Sequence, residues 1–328
     1  MSEPTPLLRP AVLATGITDA ELRRGIRTGR LERIVPGVYL EREDAGQLDD
    51  VARHVLRIRS GAARLHEGAA ISHVSTAVVH GFAVWRTDLS RIHLTRDRAS
   101  GGRRTPRQHV HAAALPHDEV ETVEGIRVTS AARTVVDLSR TVTAEEAVVA
   151  GDSALRGHPG LRPALAAALH RAGARTGIGA ARRIVPFLDG RSESPGESIS
   201  RLRIHQAGMP APALQHEVRT SEGRFVARTD FFWEETGIVG EFDGMGKYGT
   251  GDPGATAETV RREKLREDAL RDLGFEVVRW TWAELFRFPT VVARFERAIA
   301  RSRRCEQPRN SQASASAIAG ADGYSWCG

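Results

Sequence analysis

The fold of this chain is decided by one stretch, Thr-Asp-Phe-Phe-Trp-Glu-Glu-Thr-Gly-Ile-Val-Gly-Glu-Phe-Asp-Gly, which occupies residues 229–244. Two apolar runs flank a short polar segment that ends in glycine, and this pattern predicts a β-hairpin. If Trp233 lies opposite Ile238, antiparallel pairing sets Asp230 opposite Glu241. Side chains directly opposite each other share a face of the sheet, so these two carboxylates are expected to be neighbours.

Three acidic side chains are expected on that face, because Asp243 follows Glu241 by two residues and alternate residues of a strand share a face. Like charges opposed on a sheet destabilise it by roughly 0.2–1 kcal/mol, so compensation is expected. Arg228 can supply part of it, and Mg²⁺ or Mn²⁺ can supply more, because hard cations take oxygen ligands. Such a metal can polarise a phosphate and generate a hydroxide. The alternative is a solvated acidic strand end, or an ion-pair network with Arg228 and Arg262.

The elements around the hairpin predict an α/β sandwich. The predicted order is helix, three strands, helix, strand and helix. A stretch rich in Ser, Glu, Pro and Gly from residue 191 marks the preceding boundary. The predicted ranges are 194–206 for the first helix, 214–219, 224–233 and 238–243 for the strands, then 256–273, 275–280 and 282–298.

Four separated motifs in this region carry a family resemblance. They begin at Thr229 (Thr-Asp-Phe-Phe-Trp), Gly240 (Gly-Glu-Phe-Asp-Gly-Met-Gly-Lys-Tyr), Arg262 (Arg-Glu-Lys-Leu-Arg-Glu-Asp-Ala-Leu-Arg) and Gly274 (Gly-Phe-Glu-Val-Val-Arg-Trp-Thr-Trp). Residues 193–290 therefore resemble an uncharacterised family related to the very-short-patch-repair mismatch endonucleases, within the PD-(D/E)xK nuclease superfamily. The resemblance implies a restriction-endonuclease-like fold and hydrolysis of DNA phosphodiesters with Mg²⁺ or Mn²⁺.

The resemblance also assigns roles to individual acids. It makes Asp230 the first metal ligand and Glu241 the second, while Asp243 stands where the superfamily has a lysine. Glu197 matches the helical acid that often completes the metal site. Ser194-Pro-Gly-Glu197 is also a capping box, so a purely structural role for Glu197 stays open.

The missing lysine of the superfamily motif has two candidate replacements. Lys247 and Lys264 are the only lysines in the chain. Lys247 follows the acidic strand in a glycine-rich segment and is the preferred catalytic cation, with Lys264 on the next predicted helix as the second candidate. The very-short-patch-repair group also lacks the usual lysine, so its loss does not by itself predict inactivity.

The first forty residues predict a winged helix-turn-helix. Thr18 and Glu21 form a capping box, and the helix that follows places Leu22 and Ile26 on one face. Strands over 31–35 and 38–40 flank Pro36-Gly37 and form the wing. Three arginines on the other faces of the helix are the candidate DNA-binding residues, namely Arg23, Arg24 and Arg27.

A second resemblance covers residues 5–140, which are similar to the AbiEi family of antitoxin-like regulators. The matching parts are 21–30, Pro36-Gly-Val-Tyr39, Ile71-Ser-His-Val-Ser-Thr-Ala, His80-Gly81 and Val128-Thr-Ser-Ala-Ala-Arg-Thr-Val-Val-Asp-Leu138. The resemblance implies a DNA-binding winged helix, a following α/β domain and a defence or mobile-element setting. It implies no catalysis by this half of the chain.

Composition narrows the class of protein. The net charge is +6 and the apolar content 41%, which fits a globular protein with a basic surface and is compatible with a polyanionic partner. The two cysteines, Cys305 and Cys327, exclude a disulfide framework and a cysteine-rich zinc site. No apolar run is long enough to span a membrane and no secretory signal is recognised, so a cytoplasmic location is expected.

Four histidines were weighed as ligands. His73 is expected at a helix start, and His80 is expected to end that helix before Gly81. His109 and His111 alternate along a predicted strand and share a face, but no cysteine or carboxylate pair stands near them in the sequence. The sequence therefore gives only weak support for a zinc site. Arg103, Arg104 and Arg107 form a predicted basic loop, which is either a phosphate contact or an ordinary exposed loop.

The sequence thus predicts a multidomain α/β protein. The predicted parts are a winged helix over 1–45, a small α/β and helical domain over 46–190, a restriction-endonuclease-like α/β sandwich over 191–300 and a disordered tail over 301–328. The predicted function is metal-dependent endonuclease action on DNA. The alternatives are a non-catalytic DNA-binding regulator or antitoxin that retains a nuclease fold, and a regulator whose main partner is another protein such as a toxin.

Overall fold

The computed structural model describes residues 6–62, 65–244 and 257–306. It is a mixed α/β protein with three sheets, and its contacts divide it into two units, Met1–Gly190 and Arg191–Gly328. None of the helices in the described residues is long and apolar enough to cross a membrane.

Unit 1 begins with a small three-stranded sheet and three helices. Thr18 caps α2 as predicted, because its side chain accepts from the backbone nitrogen of Glu21 and the Glu21 carboxylate accepts from the backbone nitrogen of Thr18. The sheet has the strand order β1-β3-β2, and β2 and β3 form the predicted hairpin. The elements are β1 Leu7–Leu8, α1 Arg9–Ala14, α2 Asp19–Arg27, β2 Leu31–Val35, β3 Val38–Glu41 and α3 Arg42–Gln47.

The buried face of α2 differs from the prediction. Leu22 is buried, but its helical neighbour there is Gly25, whereas Ile26 is 37% exposed. Leu31 explains the difference, because a Cβ on residue 25 would stand only 2.9 Å from Cδ1 of Leu31. The helix therefore packs on β2 through a glycine, and Ile26 faces outward.

A six-stranded sheet forms the middle of unit 1, in the order β6-β7-β5-β4-β9-β8. Arg103 and Arg104, predicted as a loop, form a short strand because their backbone pairs with Val110 and His109. Three of its strands have four or five residues each and cover 92–96, 108–112 and 126–129. The elements are α4 Asp50–Ala62, β4 Ala69–Ile71, α5 His73–Val79, β5 Ile92–Arg96, β6 Arg103–Arg104, β7 Gln108–Ala112, β8 Val120–Val123 and β9 Ile126–Thr129.

The two faces of this sheet differ in chemistry. Ile58 of α4 packs with Ile71, Ile92, Leu94 and Val128 in one apolar cluster. The residues that alternate with these point to the opposite face. That second face carries His93, Thr95, His109 and His111, and α5 begins against it at His73.

Four helices complete unit 1 and meet around a buried charged group. Arg133 is 1% exposed, and its Nε donates to Asp137 at 2.7 Å while its Nη1 pairs with Glu119. Arg140 binds the second oxygen of Asp137 at 2.7 Å, and Arg171 binds Glu119 at 2.8 Å. The helices are α6 Ala131–Thr141, α7 Ala144–Gly157, α8 Leu161–Ala172 and α9 Ile178–Phe187.

Unit 2 has the predicted order of helix, three strands, helix, strand and helix. Its sheet has the order β10-β11-β12-β13, in which β12 pairs with β11 antiparallel and with β13 parallel. Trp280, fully buried, donates from Nε1 to Oγ of Ser200 at 2.8 Å and packs between the sheet and α10. The elements are α10 Pro195–Gln206, β10 Ala213–Arg219, β11 Phe225–Trp233, β12 Ile238–Asp243, α11 Ala257–Asp272, β13 Glu276–Thr281, α12 Trp282–Leu285 and α13 Pro289–Glu306.

The C-terminal helix differs from the prediction at both ends. The expected single helix over 282–298 is two helices, because Pro289 lacks an amide hydrogen and therefore starts a helix more readily than it continues one. Residues 301–306, predicted as disordered tail, are helical. Arg301 pairs with Glu276 at 2.7 Å and Ser302 donates to the carbonyl of Thr236 at 3.0 Å, which ties these turns to the unit.

Candidate functional site

The β11–β12 hairpin has the predicted register. Trp233 lies opposite Ile238, and Phe231 lies opposite Gly240, so continuation by one residue brings Asp230 level with Glu241. The Asp230 side chain, half-buried, accepts a hydrogen bond from the backbone nitrogen of Phe242 at 2.8 Å. Burial raises the pKa of the Asp230 carboxyl above its usual range.

Glu241 is held by two arginines. Its side chain is 8% exposed; Oε1 pairs with Arg266 of α11, and Oε2 accepts from Nε of Arg279 at 2.9 Å. Arg279, on β13, also lies 3.3 Å from Glu263 and 3.2 Å from Glu267. Burial, followed by the positive charge of Arg279, lowers the pKa of Arg266. The carboxylate is therefore neutralised within the protein.

Glu197 reaches the same region from the first turn of α10. Its Oε2 accepts from the backbone nitrogen of Glu193 at 2.8 Å and from Nε2 of Gln215 at 2.9 Å, while Oε1 accepts from Ser194 at 2.8 Å. Its backbone nitrogen donates to Oγ of Ser194, the helix cap. Burial, with a smaller contribution from nearby Asp230, raises the pKa of the Glu197 carboxyl. Glu197 thus takes part in the cap and also faces the hairpin acids.

Gln215 lies beside the two carboxyls whose pKa is raised. Its side-chain amide donates to Oε2 of Glu197 at 2.9 Å and lies near enough to Asp230 to offset part of the rise that burial causes in the pKa of that carboxyl. Within β10 it falls between the register pairs formed by Leu214 and His216, and its φ of +53° is unusual for a residue with a side chain. Backbone strain of this kind is concentrated at functional sites.

α10 lies very close to β12 beside the acidic residues. A Cβ on Gly196 would overlap the ring of Phe242, so only glycine fits between the helix and the strand. Gly240 is equally confined, since a Cβ there would stand 2.8 Å from Trp233 and 2.9 Å from Trp280. The residues that follow these two glycines are Glu197 and Glu241.

The remaining predicted site residues lie apart from this group or outside the described residues. Arg228, expected beside the hairpin acids, instead pairs with both carboxylate oxygens of Glu193 at 2.9 and 2.8 Å. Asp243 is exposed at the end of β12, and Lys264 is exposed on α11. Lys247 lies outside the described residues, as does the glycine-rich segment around it.

The donor chemistry of these acids suits a hard cation, although contacts within the protein occupy both oxygens of Glu197 and of Glu241. Mg²⁺ takes oxygen ligands, and Glu197, Asp230, Glu241 and Asp243 offer only oxygen. Among the described residues, no three of these carboxylates bring oxygens within 4.8 Å of one another. Metal binding at this place therefore requires displacement of Arg266 or Arg279 from Glu241.

The arginines predicted to bind DNA line the outer side of α2. Arg23, Arg24 and Arg27 are all exposed, and the apolar side chain of Ile26 lies exposed among them. The positive charges stand near the C-terminal end of the helix, where cations interact favourably with the helix dipole.

A cavity of 1160 Å³ in unit 1 adds a basic surface that the sequence did not indicate. The hairpin of β2 and β3 contributes Arg33 to its wall, and α4 contributes Arg57. Its described lining contains no aspartate or glutamate and four further arginines, namely Arg96, Arg98, Arg103 and Arg107. Such a concentration of guanidinium groups favours phosphate-bearing ligands.

Histidines gather on the polar face of the six-stranded sheet, contrary to the expectation that His109 and His111 lack neighbouring ligands. Among the described residues, His73, His93 and His111 form the group of three possible metal ligands whose ligand atoms lie within 4.8 Å of one another. The sequence analysis missed His93. The alternation of His93 and Thr95 beside that of His109 and His111 could have revealed it once β5 and β7 were paired in register.

The sequence analysis also missed the partners of the hairpin acids. Arg266 and Arg279 come from α11 and β13, and Gln215 comes from the strand before the hairpin. The predicted order of elements could have pointed to Arg279, because β13 lies parallel to β12 and pairs Arg279 with Glu241. Nothing in the local sequence distinguishes Gln215.

Comparison with known proteins gives relatives without an assigned activity. No protein-family model matches the chain. Over 185 residues it is 31% identical to each of two Mycobacterium tuberculosis proteins, Uncharacterized protein MT2308 of strain CDC 1551 / Oshkosh and Uncharacterized protein Rv2248 of strain ATCC 25618 / H37Rv. The match spans 56% of this chain and 66% of each relative, slightly less than two thirds of their length.

A solved structure shows a weaker likeness. The crystal structure of RV2827C protein from Mycobacterium tuberculosis is 15% identical in sequence, with a TM-score of 0.37. The likeness covers 67% of this chain and 85% of that chain. At this level no functional argument rests on it.

Proposed function

We propose that this protein binds DNA and hydrolyses DNA phosphodiesters at the acidic region of unit 2, with Mg²⁺ or Mn²⁺. In this proposal unit 2 is a restriction-endonuclease-like sandwich related to the very-short-patch-repair endonucleases. The beginning of unit 1 is an AbiEi-like winged helix. A toxin or other defence protein is a further candidate partner that follows from the same resemblance.

The observation that carries the proposal is the convergence of Glu197, Asp230 and Glu241 from three neighbouring elements. Two of these carboxyls have pKa values raised by burial, and Gln215 donates to one of them, Glu197. Carboxylates held together out of water are unfavourable unless a proton or cation compensates them. When bound, a divalent cation would stabilise the phosphate charge and lower the pKa of a bound water.

Basic surfaces in unit 1 support DNA as the substrate. The exposed arginines of α2 and the arginines of the cavity both lie in this unit. Lysine and arginine side chains that neutralise phosphates release counterions, so binding through them weakens steeply with salt. The affinity of the full chain for duplex DNA should therefore fall as salt rises, and the double variant R23A/R27A should reduce that dependence.

The experiment that tests hydrolysis is cleavage of supercoiled plasmid by the purified full chain with Mg²⁺ or Mn²⁺. The proposal expects cleavage by wild type and none by D230N. The matched control is D268N, which removes an exposed carboxylate of α11 in the same unit and should leave cleavage unchanged. Absence of cleavage with either metal would overturn the enzymatic proposal.

A second experiment measures metal binding separately from DNA cleavage. Mn²⁺ should raise the melting temperature of wild type by binding the folded state, and D230N should abolish that rise. K247A should retain the rise but cleave roughly a hundredfold more slowly, since removal of an electrostatic stabiliser costs about that much. The matched control is K264A, which should cleave at the wild-type rate if Lys247 is the catalytic cation.

A non-catalytic regulator is the second candidate, because one specific contact favours it. Both oxygens of Glu241 are occupied by arginines, an arrangement that replaces a metal ion by fixed positive charge. The variant R266Q distinguishes the candidates. A metal site held back by Arg266 gains Mn²⁺ affinity in R266Q, whereas a purely structural ion pair loses stability and gains no affinity for metal.

A further inference from the structure

Three imidazoles from three separate elements meet in unit 1. His73 begins α5, His93 lies in β5 and His111 lies in β7. His73 is buried and the other two are half-buried, so the group sits near the surface without being fully solvated. Its ligand atoms all lie within 4.8 Å of one another. The rings of His73 and His111 are stacked with centroids 3.7 Å apart, so one of them has to turn before both bind the same ion in their ring planes.

The nitrogen separation fits a shared metal. Nδ1 of His93 and Nε2 of His111 are 3.2 Å apart. Two nitrogens bound to one tetrahedral Zn²⁺ at 2.0–2.1 Å stand about 3.3 Å apart. In the metal-free protein one of the two rings must donate a hydrogen to the other. A change of tautomer in that ring frees its lone pair without any net loss of a proton.

The backbone of His73 is held in an unusual conformation. Its φ is +54°, in the left-handed region that a residue with a side chain rarely adopts. Its Nδ1 lies 2.9 Å from Oγ of Ser72, an arrangement that fixes the ring and directs Nε2 elsewhere. Metal-binding histidines are commonly oriented in this way by a hydrogen bond from their second nitrogen.

Two buried hydroxyls beside the imidazoles lack partners within the described residues. Thr95 is the register partner of His111, and Thr76 lies one helical turn after His73. Both residues are 0% exposed, and neither Oγ1 has a hydrogen-bond partner. A buried hydroxyl without a partner is unfavourable, so these two groups indicate a polar occupant that the three rings alone do not provide.

The geometry points to a binding site for a divalent ion of the Zn²⁺ class, held by His73, His93 and His111. Imidazole nitrogen suits Zn²⁺ and its first-row neighbours. Three protein ligands leave the fourth tetrahedral position for water or an exogenous ligand. The site is independent of the acidic region, which offers oxygen ligands and suits Mg²⁺ or Mn²⁺.

The test uses the full chain without an affinity tag, freed of metal by chelation and dialysis. Zn²⁺ is titrated in competition with a chromophoric chelator, and Co²⁺ is followed by its visible absorption. Wild type should bind one Zn²⁺ per chain and give the absorption of tetrahedral Co²⁺. Weak binding at several sites per chain, or octahedral Co²⁺ alone, would overturn the inference.

Matched variants locate the ion. His93 and His109 are register partners on the same sheet face, and His109 is outside the group of three. H93Q and H111Q should weaken Zn²⁺ binding by more than about 100-fold, since even outer-shell changes cost about 10–100-fold. H109Q should retain wild-type affinity, and so should D230N in unit 2. Equal losses in H109Q and H93Q would overturn the three-ligand site.

Thermal unfolding and circular dichroism distinguish a loss of metal binding from a loss of the fold. Zn²⁺ should raise the melting temperature of wild type and of H109Q by mass action, with a rise that depends on ion concentration. Circular dichroism without metal then shows whether H93Q and H111Q are folded. If wild type shows no shift at Zn²⁺ concentrations that saturate the chelator, the site does not exist.

Discussion

Gln215 donates from its side-chain amide to the buried carboxylate of Glu197 across 2.9 Å, from a strand position whose φ is +53°. A residue with a side chain held in this region costs about 1–3 kcal/mol. β10 therefore has an unfavourable backbone conformation at Gln215, the residue whose side chain lies beside Glu197 and Asp230. This relationship leads to the first prediction.

Replacement of Gln215 by alanine should destabilise the protein by about 1–3 kcal/mol, because buried Glu197 loses a donor. Alanine retains the backbone strain, so the change isolates the amide. The measurement is urea unfolding at pH 7. The control Q206A removes an exposed glutamine that accepts from Arg203, and it should stay within about 0.5 kcal/mol of wild type. Equal effects of the two variants would contradict a bridging role.

Removal of the Arg133 side chain should cost about 3–5 kcal/mol, because it leaves Glu119 and Asp137 buried with fewer partners. Thermal unfolding of R133A measures the loss. R59A is the control, since its pair with Glu124 is exposed on both sides and such pairs contribute about 0–1 kcal/mol. A small effect of R133A would mean that Arg140 and Arg171 suffice for both acids.

The stability of unit 1 should fall under mild acid because of His54. This residue is 0% exposed; its ring lies 2.8 Å from Leu89 O and 2.8 Å from Oγ of Ser75, and burial lowers its pKa to about 4. Below its ordinary value of 6.5 the unfolded chain binds a proton that the folded chain does not. Stability is therefore full above pH 6.5 and falls towards pH 4, by at most about 3 kcal/mol from this group.

The measurement for this prediction is the free energy of unfolding between pH 8 and pH 4. H54N should show a shallower decline than wild type over that range, even if it is less stable throughout. An identical slope in the two proteins would assign the acid sensitivity to other groups.

A methyl group added at Gly240 should destabilise unit 2 by about 1–3 kcal/mol, because Trp233 and Trp280 leave no room for it. G244A serves as the control, since its Cβ would meet Phe242 at an ordinary 3.6 Å. Chemical denaturation of both variants should separate them clearly. A neutral G240A would mean that the two indoles move apart at little cost.

Local patterns were sufficient to predict most elements and the hairpin register. Thr18 and Glu21 marked a helix start, and Trp233 opposite Ile238 followed from the turn. The burial of Leu22 with Gly25 could not be predicted in this way, because Leu31, which fills the space, belongs to another element. The 37% exposure of Ile26 was therefore not predicted.

Contacts between distant elements explain most of the remaining differences in the candidate sites. The acids at positions 230 and 241 were brought level by one hairpin, so their proximity could be predicted. Arg279 reaches Glu241 through a parallel strand that follows a helix, and His93 meets His111 across another parallel pair. Parallel pairing joins strands that are separated in sequence, and hydrophobic periodicity alone does not specify the partner.

Glycine at position 196 allows α10 to lie close to β12, and the position of Glu197 depends on that close approach. Because Phe242 fills the space where a Cβ would stand, the separation between α10 and β12 acts as a fixed spacer for Glu197. Substitutions of the acids themselves alter the charge but leave that separation unchanged. Any redesign of this region therefore has to keep the glycine and the aromatic ring as a pair.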